Sequence, residues 1–319
     1  MQMVDDARVV VYLMTGFLES GKTNFLRQTL SKNYFKIDGE TVLILCEEGE
    51  EEYEQELLIW ANADVVTVDA PEELTKDFLQ EIEDKYHPDR VIFECNGMYP
   101  VSKMEALDVP EGWGLIQKIT TVDAGTFDLY IANMKSLFVE MVRNADMVVF
   151  NRCTEDMPLA AYRRSVKVVN QGAEIIFEGK DGEIEDIFSV QMPYDLDAPV
   201  IRIEDMDYGI WYVDMLDHPE KYKGKAVEVQ GRARKVKGFP VDEFVLGRNA
   251  MTCCADDITF LGFICKCRDA EKFGADTWVR ARGKVSFELK RAYRGRGPVI
   301  TLESIERIPA LEDELVYFN

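Results

Sequence analysis

Residues 15–26 read TGFLESGKTNFL, and Gly16-Phe-Leu-Glu-Ser-Gly-Lys-Thr23 satisfies G-x-x-x-x-G-K-[ST] at every fixed position. The flanks agree. Arg8–Met14 is an apolar, largely β-branched run that predicts a strand, and Lys22–Leu30 has the apolar spacing of a helix. A glycine loop between strand and helix lets backbone N–H groups curl around phosphate oxygens, and the helix N-terminus adds positive potential. A glycine turn that merely connected two elements would have no use for Lys22 and Thr23. Lys22 is expected to reach the terminal phosphates and Thr23 to ligate Mg2+. Gly16, Glu19, Ser20, Gly21, Lys22, Thr23 and Asn24 are the residues expected to contact a bound nucleotide.

Beyond the loop, buried-strand runs are predicted at Thr41–Cys46, Asp64–Val68 and Arg90–Glu94, with helical spacing over Glu50–Ala61 and Glu72–Tyr86. Further strands are predicted at Ile116–Val122 and Met147–Phe150, and a long helix over Phe127–Arg143. Strands alternating with helices imply a mostly parallel sheet covered on both faces. A phosphate-binding loop of this type also needs carboxylates near its magnesium. Glu94 ends the strand VIFE and suits a Walker B-like or water-positioning role, although an ordinary strand-end acid has the same signature. Most of the run CEEGEEEYEQE (46–56) reads as an acid-rich first helical turn favoured by the helix dipole. Glu47 and Glu48 follow the strand TVLILC and could lie on a switch segment, with Glu47 the one to test, so Lys22, Glu94 and Glu47 are the catalytic candidates.

The chain has 319 residues, room for two domains, and no apolar run of the ~20 residues a membrane span needs. MQMVDDARVVVYLM has acids ahead of its apolar run and reads as a first strand, not a secretory signal. Net charge is −22, yet residues 221–308 hold 19 Lys/Arg against 11 Asp/Glu. The asymmetry argues for two units and against the whole chain as a nucleic-acid binder. Seven cysteines, an odd number, point to a reducing compartment, and a cytoplasmic location is expected.

The rhythm changes near Asp205. Strands are predicted at Ala226–Val236, Phe244–Thr252, Phe260–Cys267, Thr277–Glu288 and Val299–Ile308, a spacing that suggests a small all-β barrel of the OB type. The expected organisation is an α/β P-loop domain over 1–205, a linker over 206–224 and the barrel over 225–319. Cys253, Cys254, Cys265 and Cys267 fall on two neighbouring strands, and four thiolates there could hold Zn2+ or a softer transition metal. Adjacent cysteines lack the usual C-x2-C geometry, and buried packing explains free cysteines equally well. Arg232, Arg234, Arg280, Arg282 and their neighbours could bind single-stranded nucleic acid, but docking on the acidic first domain is the favoured reading. His87 and His218 each precede proline in loops and form no catalytic arrangement.

In order, TGFLESGKT, CEEGEEE, VIFECNGMYP, ITTVDAGTF and ADMVVFNRCTED resemble the CobW-type metallochaperone GTPases over about residues 8–200. That family is typified by GFLGAGKTT, NEFGE, E-T-S-G-x-x-x-P, VDA and NKxD segments. The resemblance implies a hydrolase of GTP, or of ATP, that uses Mg2+ and couples turnover to zinc-like metal handling. It also implies slow turnover and a metal-receiving partner. Two departures stand out. The family's C-x-C-C is absent, and NKxD has become Asn151-Arg152-Cys153-Thr154. Asn151 and Arg152 keep their expected contacts to the nucleotide. Thr154 replaces a carboxylate that reads guanine, which lowers base discrimination by about 1–3 kcal/mol unless Glu155 or Asp156 substitutes. HPEKYKGKAVEVQGRA, MTCCAD and TWVRARGKV resemble the soluble domain of YcgQ-like bacterial proteins that accompany membrane permeases. This implies a bacterial source and an alternative function, a nucleotide-dependent adaptor of a membrane permease without metal transfer.

Overall fold

The computed structural model describes residues 7–46, 52–95, 97–154, 156–184, 192–251, 258–273, 275–311 and 314–316. Two compact units emerge: Met1–Leu159 with Val169–Ile187, and Ala160–Val168 with Phe188–Asn319.

The first unit is built around β1 (Val9–Thr15), whose VVVYLMT sequence is buried on both faces and therefore belongs at the centre of a covered sheet. It is followed by α1 (Lys22–Leu30), β2 (Thr41–Leu45), α2 (Gln55–Ala61), β3 (Ala63–Thr67), α3 (Lys76–Tyr86) and β4 (Arg90–Glu94). Then come α4 (Val101–Glu105), β5 (Trp113–Asp123), α5 (Phe127–Arg143), β6 (Met147–Cys153), α6 (Leu159–Val169), β7 (Glu174–Gly179) and β8 (Gly182–Glu183). Among the described residues the strand order is β3-β2-β4-β1-β5-β6-β7-β8, parallel throughout except for β7 with β8. Chain order reverses on either side of β1, so the crevice at its carboxyl end is where a ligand of such a sheet binds. Leu26 and Leu30 of α1 pack on Met14, Leu43, Ile92, Ile119 and Val149, which fixes the helix over the sheet and aims its N-terminus at that crevice.

In the second unit, β9 (Ile201–Arg202), α7 (Tyr208–Asp217) and α8 (Pro219–Tyr222) precede β10 (Ala226–Arg234), β11 (Glu243–Met251) and β12 (Ile258–Lys266). β13 (Ala275–Lys290), β14 (Gly295–Arg307) and β15 (Leu315–Val316) complete it. The pairings β10–β11, β11–β12, β12–β14, β14–β13 and β13–β10 close a circuit of five strands; only β12–β14 is parallel. Residues 206–224, expected as a linker, instead supply α7 and α8. The α7 segment YGIWYVDMLD is apolar nearly all round, and its Tyr208, Trp211, Tyr212, Val213 and Met215 are buried with Val229, Leu246 and Phe263 of the strands.

No helix among the described residues is long and apolar enough to cross a membrane.

Candidate functional site

The loop after β1 closes on itself. Gly21 caps α1 at φ 86°, a left-handed conformation that glycine adopts without steric cost. Lys22 is 3% exposed, and its Nζ donates to the carbonyls of Gly16 at 3.1 Å and Phe17 at 2.9 Å. The ammonium is thereby held inside the loop that it is expected to serve. Ser20 is buried, whereas Glu19 and Asn24 are exposed on the rim. Phe17 stacks on Tyr130 of α5 with centroids 4.1 Å apart and planes 6° from parallel.

Folding brings Glu94 to the same place. At the end of β4 and 4% exposed, it accepts from Thr23 Oγ1 at Oε1, 2.5 Å, and from the Tyr53 phenol at Oε2, 2.6 Å. Burial first, and then the Glu94 carboxylate, push the Tyr53 phenol well above its usual pKa, so it remains a proton donor. Glu47 lies outside the described residues. Gly97 follows shortly after Glu94, and a Cβ there would stand 2.3 Å from the Gly16 carbonyl oxygen and 2.9 Å from Phe17 N. Only glycine lets these two backbones meet.

The other wall comes from β5 and β6. Thr15 and Thr120 share a hydroxyl hydrogen bond at 2.9 Å, as do Ser20 and Thr121. From β6, Asn151 Nδ2 donates to the Ser20 carbonyl at 2.7 Å and Arg152 Nη1 to the Glu19 carbonyl at 3.0 Å. Arg152 also forms a close ion pair with Asp123. Asn151 Oδ1 is buried and has no partner among the described residues, an acceptor that a bound base could satisfy. Cys153 is buried, and burial pushes its thiol up to about 12. The Thr154 hydroxyl bonds the Asp156 carboxylate and holds it below the usual carboxylate range, while Glu155 is outside the described residues. Gly16 to Thr23, Glu94, Asn151 and Arg152 therefore converge on one loop. Sequence reasoning passed over Tyr53 and Gly97, and of these only Gly97 carried a signal, its place three residues past a strand.

The second-unit cysteines are arranged differently. Cys265 on β12 is fully buried in the apolar core, where burial raises its thiol pKa, and half-buried Cys267 packs against the same core. Cys253 and Cys254 lie outside the described residues. Among the described residues no group of three or more His, Cys, Asp or Glu side chains is placed to hold a metal ion.

Comparison with known proteins gives two family matches. A model described as CobW/HypB/UreG, nucleotide-binding domain, matches residues 10–177, more than half of the chain. The DUF1980 C-terminal domain matches residues 185–318. No curated protein matches. Among solved structures, Zn(II)-bound YjiA GTPase from E. coli is 16% identical over 96% of this chain and 91% of its own, with a TM-score of 0.43. Hydrogenase maturation factor HypB from Archaeoglobus fulgidus is 17% identical over 55% and 84%, TM-score 0.39. HypB from Helicobacter pylori, solved in complex with nickel, is 15% identical over 55% and 80%, TM-score 0.34.

Proposed function

The chain belongs to the CobW/HypB/UreG nucleotide-binding domain family, and from that premise we propose that it hydrolyses GTP with Mg2+ and couples turnover to the handling of a transition metal. The Thr23–Glu94 hydrogen bond beneath a loop threaded by Lys22 carries the reading. A hydroxyl and a carboxylate are hard oxygen donors and fit Mg2+, so Thr23 and Glu94 would hold it; when bound, the ion neutralises charge on the phosphates. Lys22 supplies the fixed positive charge, and Gly16, Ser20 and Gly21 supply the loop backbone. Asn151 offers its buried acceptor to the base, and Asp156, tied to Thr154, is the described carboxylate nearest in sequence to the position that reads guanine.

The closed strand circuit of the second unit is read as an OB-like barrel. Cys253 and Cys254 are retained as candidate ligands for a zinc-like cargo; the burial of Cys265 is better explained by core packing. The expected partner is a metal-receiving protein or a membrane permease.

The experiment is GTP and ATP turnover measured side by side with and without Mg2+, for the wild type and Thr23→Ala, with elemental analysis of anaerobically purified protein. GTP preference, Mg2+ dependence and a loss of about a hundredfold or more in Thr23→Ala are expected. Turnover indifferent to Mg2+ and to Thr23 would reject the hydrolase reading. Metal content unchanged in the Cys253→Ala, Cys254→Ala double variant would reject these cargo ligands.

A further inference from the structure

We infer that Tyr53 is a positioning residue that holds Glu94 in reserve, its phenol occupying the carboxylate oxygen left by Thr23, so that loading with Mg2+ and nucleotide opens the Tyr53–Glu94 hydrogen bond. This rests on the reading of Thr23 and Glu94 given above. Glu94 is buried, and a hydroxyl donates to each of its two oxygens: Thr23 at Oε1, 2.5 Å, and Tyr53 at Oε2, 2.6 Å. With Thr23 on Oε1, Oε2 is the acceptor that would remain for a hydrated cation beside Thr23, so the phenol and the cation's water would compete for one site. A neutral phenol is the weaker claimant beside a divalent cation, and the bond yields when the site is loaded.

Tyr53 is well placed to report that exchange. It lies in residues 52–54, which lead into α2, and its ring packs with Leu57 and Leu58 against the core beneath α1. The adjacent Glu54 pairs with Arg27 of α1, and the amides of Leu57 and Leu58 donate to the Glu54 carbonyl at 3.0 and 3.1 Å. Release of the phenol therefore loosens the first turn of α2 on one side while the Arg27–Glu54 pair keeps it tethered on the other. The bond is a local switch joining the state of the phosphate loop to α2.

The test uses the full chain as wild type and Tyr53→Phe, which keeps the ring and its packing and removes only the donor. Binding of a fluorescent GTP analogue is titrated with Mg2+, and hydrogen exchange at Leu57 and Leu58 is followed with and without Mg2+ and GTP. Losing a competing hydrogen bond to a charged group lowers the half-saturating Mg2+ concentration about tenfold in Tyr53→Phe. Exchange at Leu57 and Leu58 is expected to quicken on loading in the wild type and to be quick already in unloaded Tyr53→Phe. A midpoint unchanged or raised in Tyr53→Phe, or wild-type exchange that slows on loading, would overturn the switch while leaving the hydrolase reading intact. Wild-type binding with no Mg2+ dependence would overturn the magnesium reading and the switch with it. Should Tyr53→Phe fail to fold, the wild-type exchange result alone decides.

Discussion

Asn151 donates to the carbonyl of Ser20 at 2.7 Å, which fastens the end of β6 to the phosphate loop. Its Nδ2 also stands 2.5 Å from where a Cβ on Gly21 would be, so this amide fills the space above the helix cap. Asn151→Ala leaves the Ser20 carbonyl without this donor and removes a candidate base contact. Nucleotide affinity is expected to fall by about 1–2 kcal/mol, roughly five- to thirtyfold in Kd, read from titration with a fluorescent GTP analogue. Affinity within twofold of the wild type would show that the bond is incidental to binding.

The contact of Gly97 with the loop gives a sharper result. In Gly97→Ala the new methyl meets backbone atoms of Gly16 and Phe17, which cannot swing aside as a side chain could. A loss of stability of about 1–3 kcal/mol is expected, with weakened nucleotide binding, measured by urea unfolding and by the same titration. Normal binding in a destabilised variant would confine the role of Gly97 to packing.

Cys153 sets a pH dependence. Its folded-state pKa, pushed up to about 12 by burial, lies above the ordinary thiol value of 9.0. The folded state thus keeps a proton that the unfolded chain gives up. The stabilisation is complete below about pH 9 and is lost as pH rises through about 12, at about 1.4 kcal/mol per pH unit in between. In Cys153→Ala the slope of unfolding free energy against pH over that window is expected to be shallower by about one proton, although the variant is less stable overall. Parallel slopes would mean that the thiol titrates normally in the folded protein.

A buried carboxylate anchors the second unit. Asp214 is 4% exposed and accepts from Lys221 at 2.8 Å and Tyr222 at 2.6 Å, and Tyr222 meets the Tyr194 hydroxyl at 2.7 Å. Asp214→Ala removes the acceptor shared by Lys221 and Tyr222 and is expected to cost about 1–3 kcal/mol, whereas Asp214→Asn, which can still accept from Tyr222, costs less. Denaturant midpoints of the two variants check the order. Equal midpoints would assign the loss to packing rather than to the charge.

Much of this was written locally. The α1 and α5 boundaries follow from apolar spacing, because each helix buries a stripe, and the strand Arg90–Glu94 follows from a short run buried on both faces. The phosphate loop follows from its own eight residues. Tyr53 does not, since its meaning comes from a bond to a residue 41 positions away, and an isolated tyrosine after an acidic run carries no periodic signal. The α7 segment read as a linker because a helix buried on all sides lacks the polar stripe that marks an amphipathic one. Cys265 of β12 and Cys267 just beyond it read as ligands from spacing, but a strand in a closed circuit turns alternate side chains inward, and Cys265 is one of them.

Ala160–Val168 groups with the second unit, although α6 joins β6 to β7 of the first. Arg163 bonds Asp217 at 2.8 Å, and Val168 is buried in the same cluster as Trp211. The chain therefore passes from one unit to the other three times. No single cut releases two whole parts: scission after Ile187 would leave the α6 stretch on one fragment and Asp217 and Trp211 on the other. The two units are interleaved in sequence and not arranged in tandem, so a fragment ending at Ile187 carries residues 160–168 that group with the second unit.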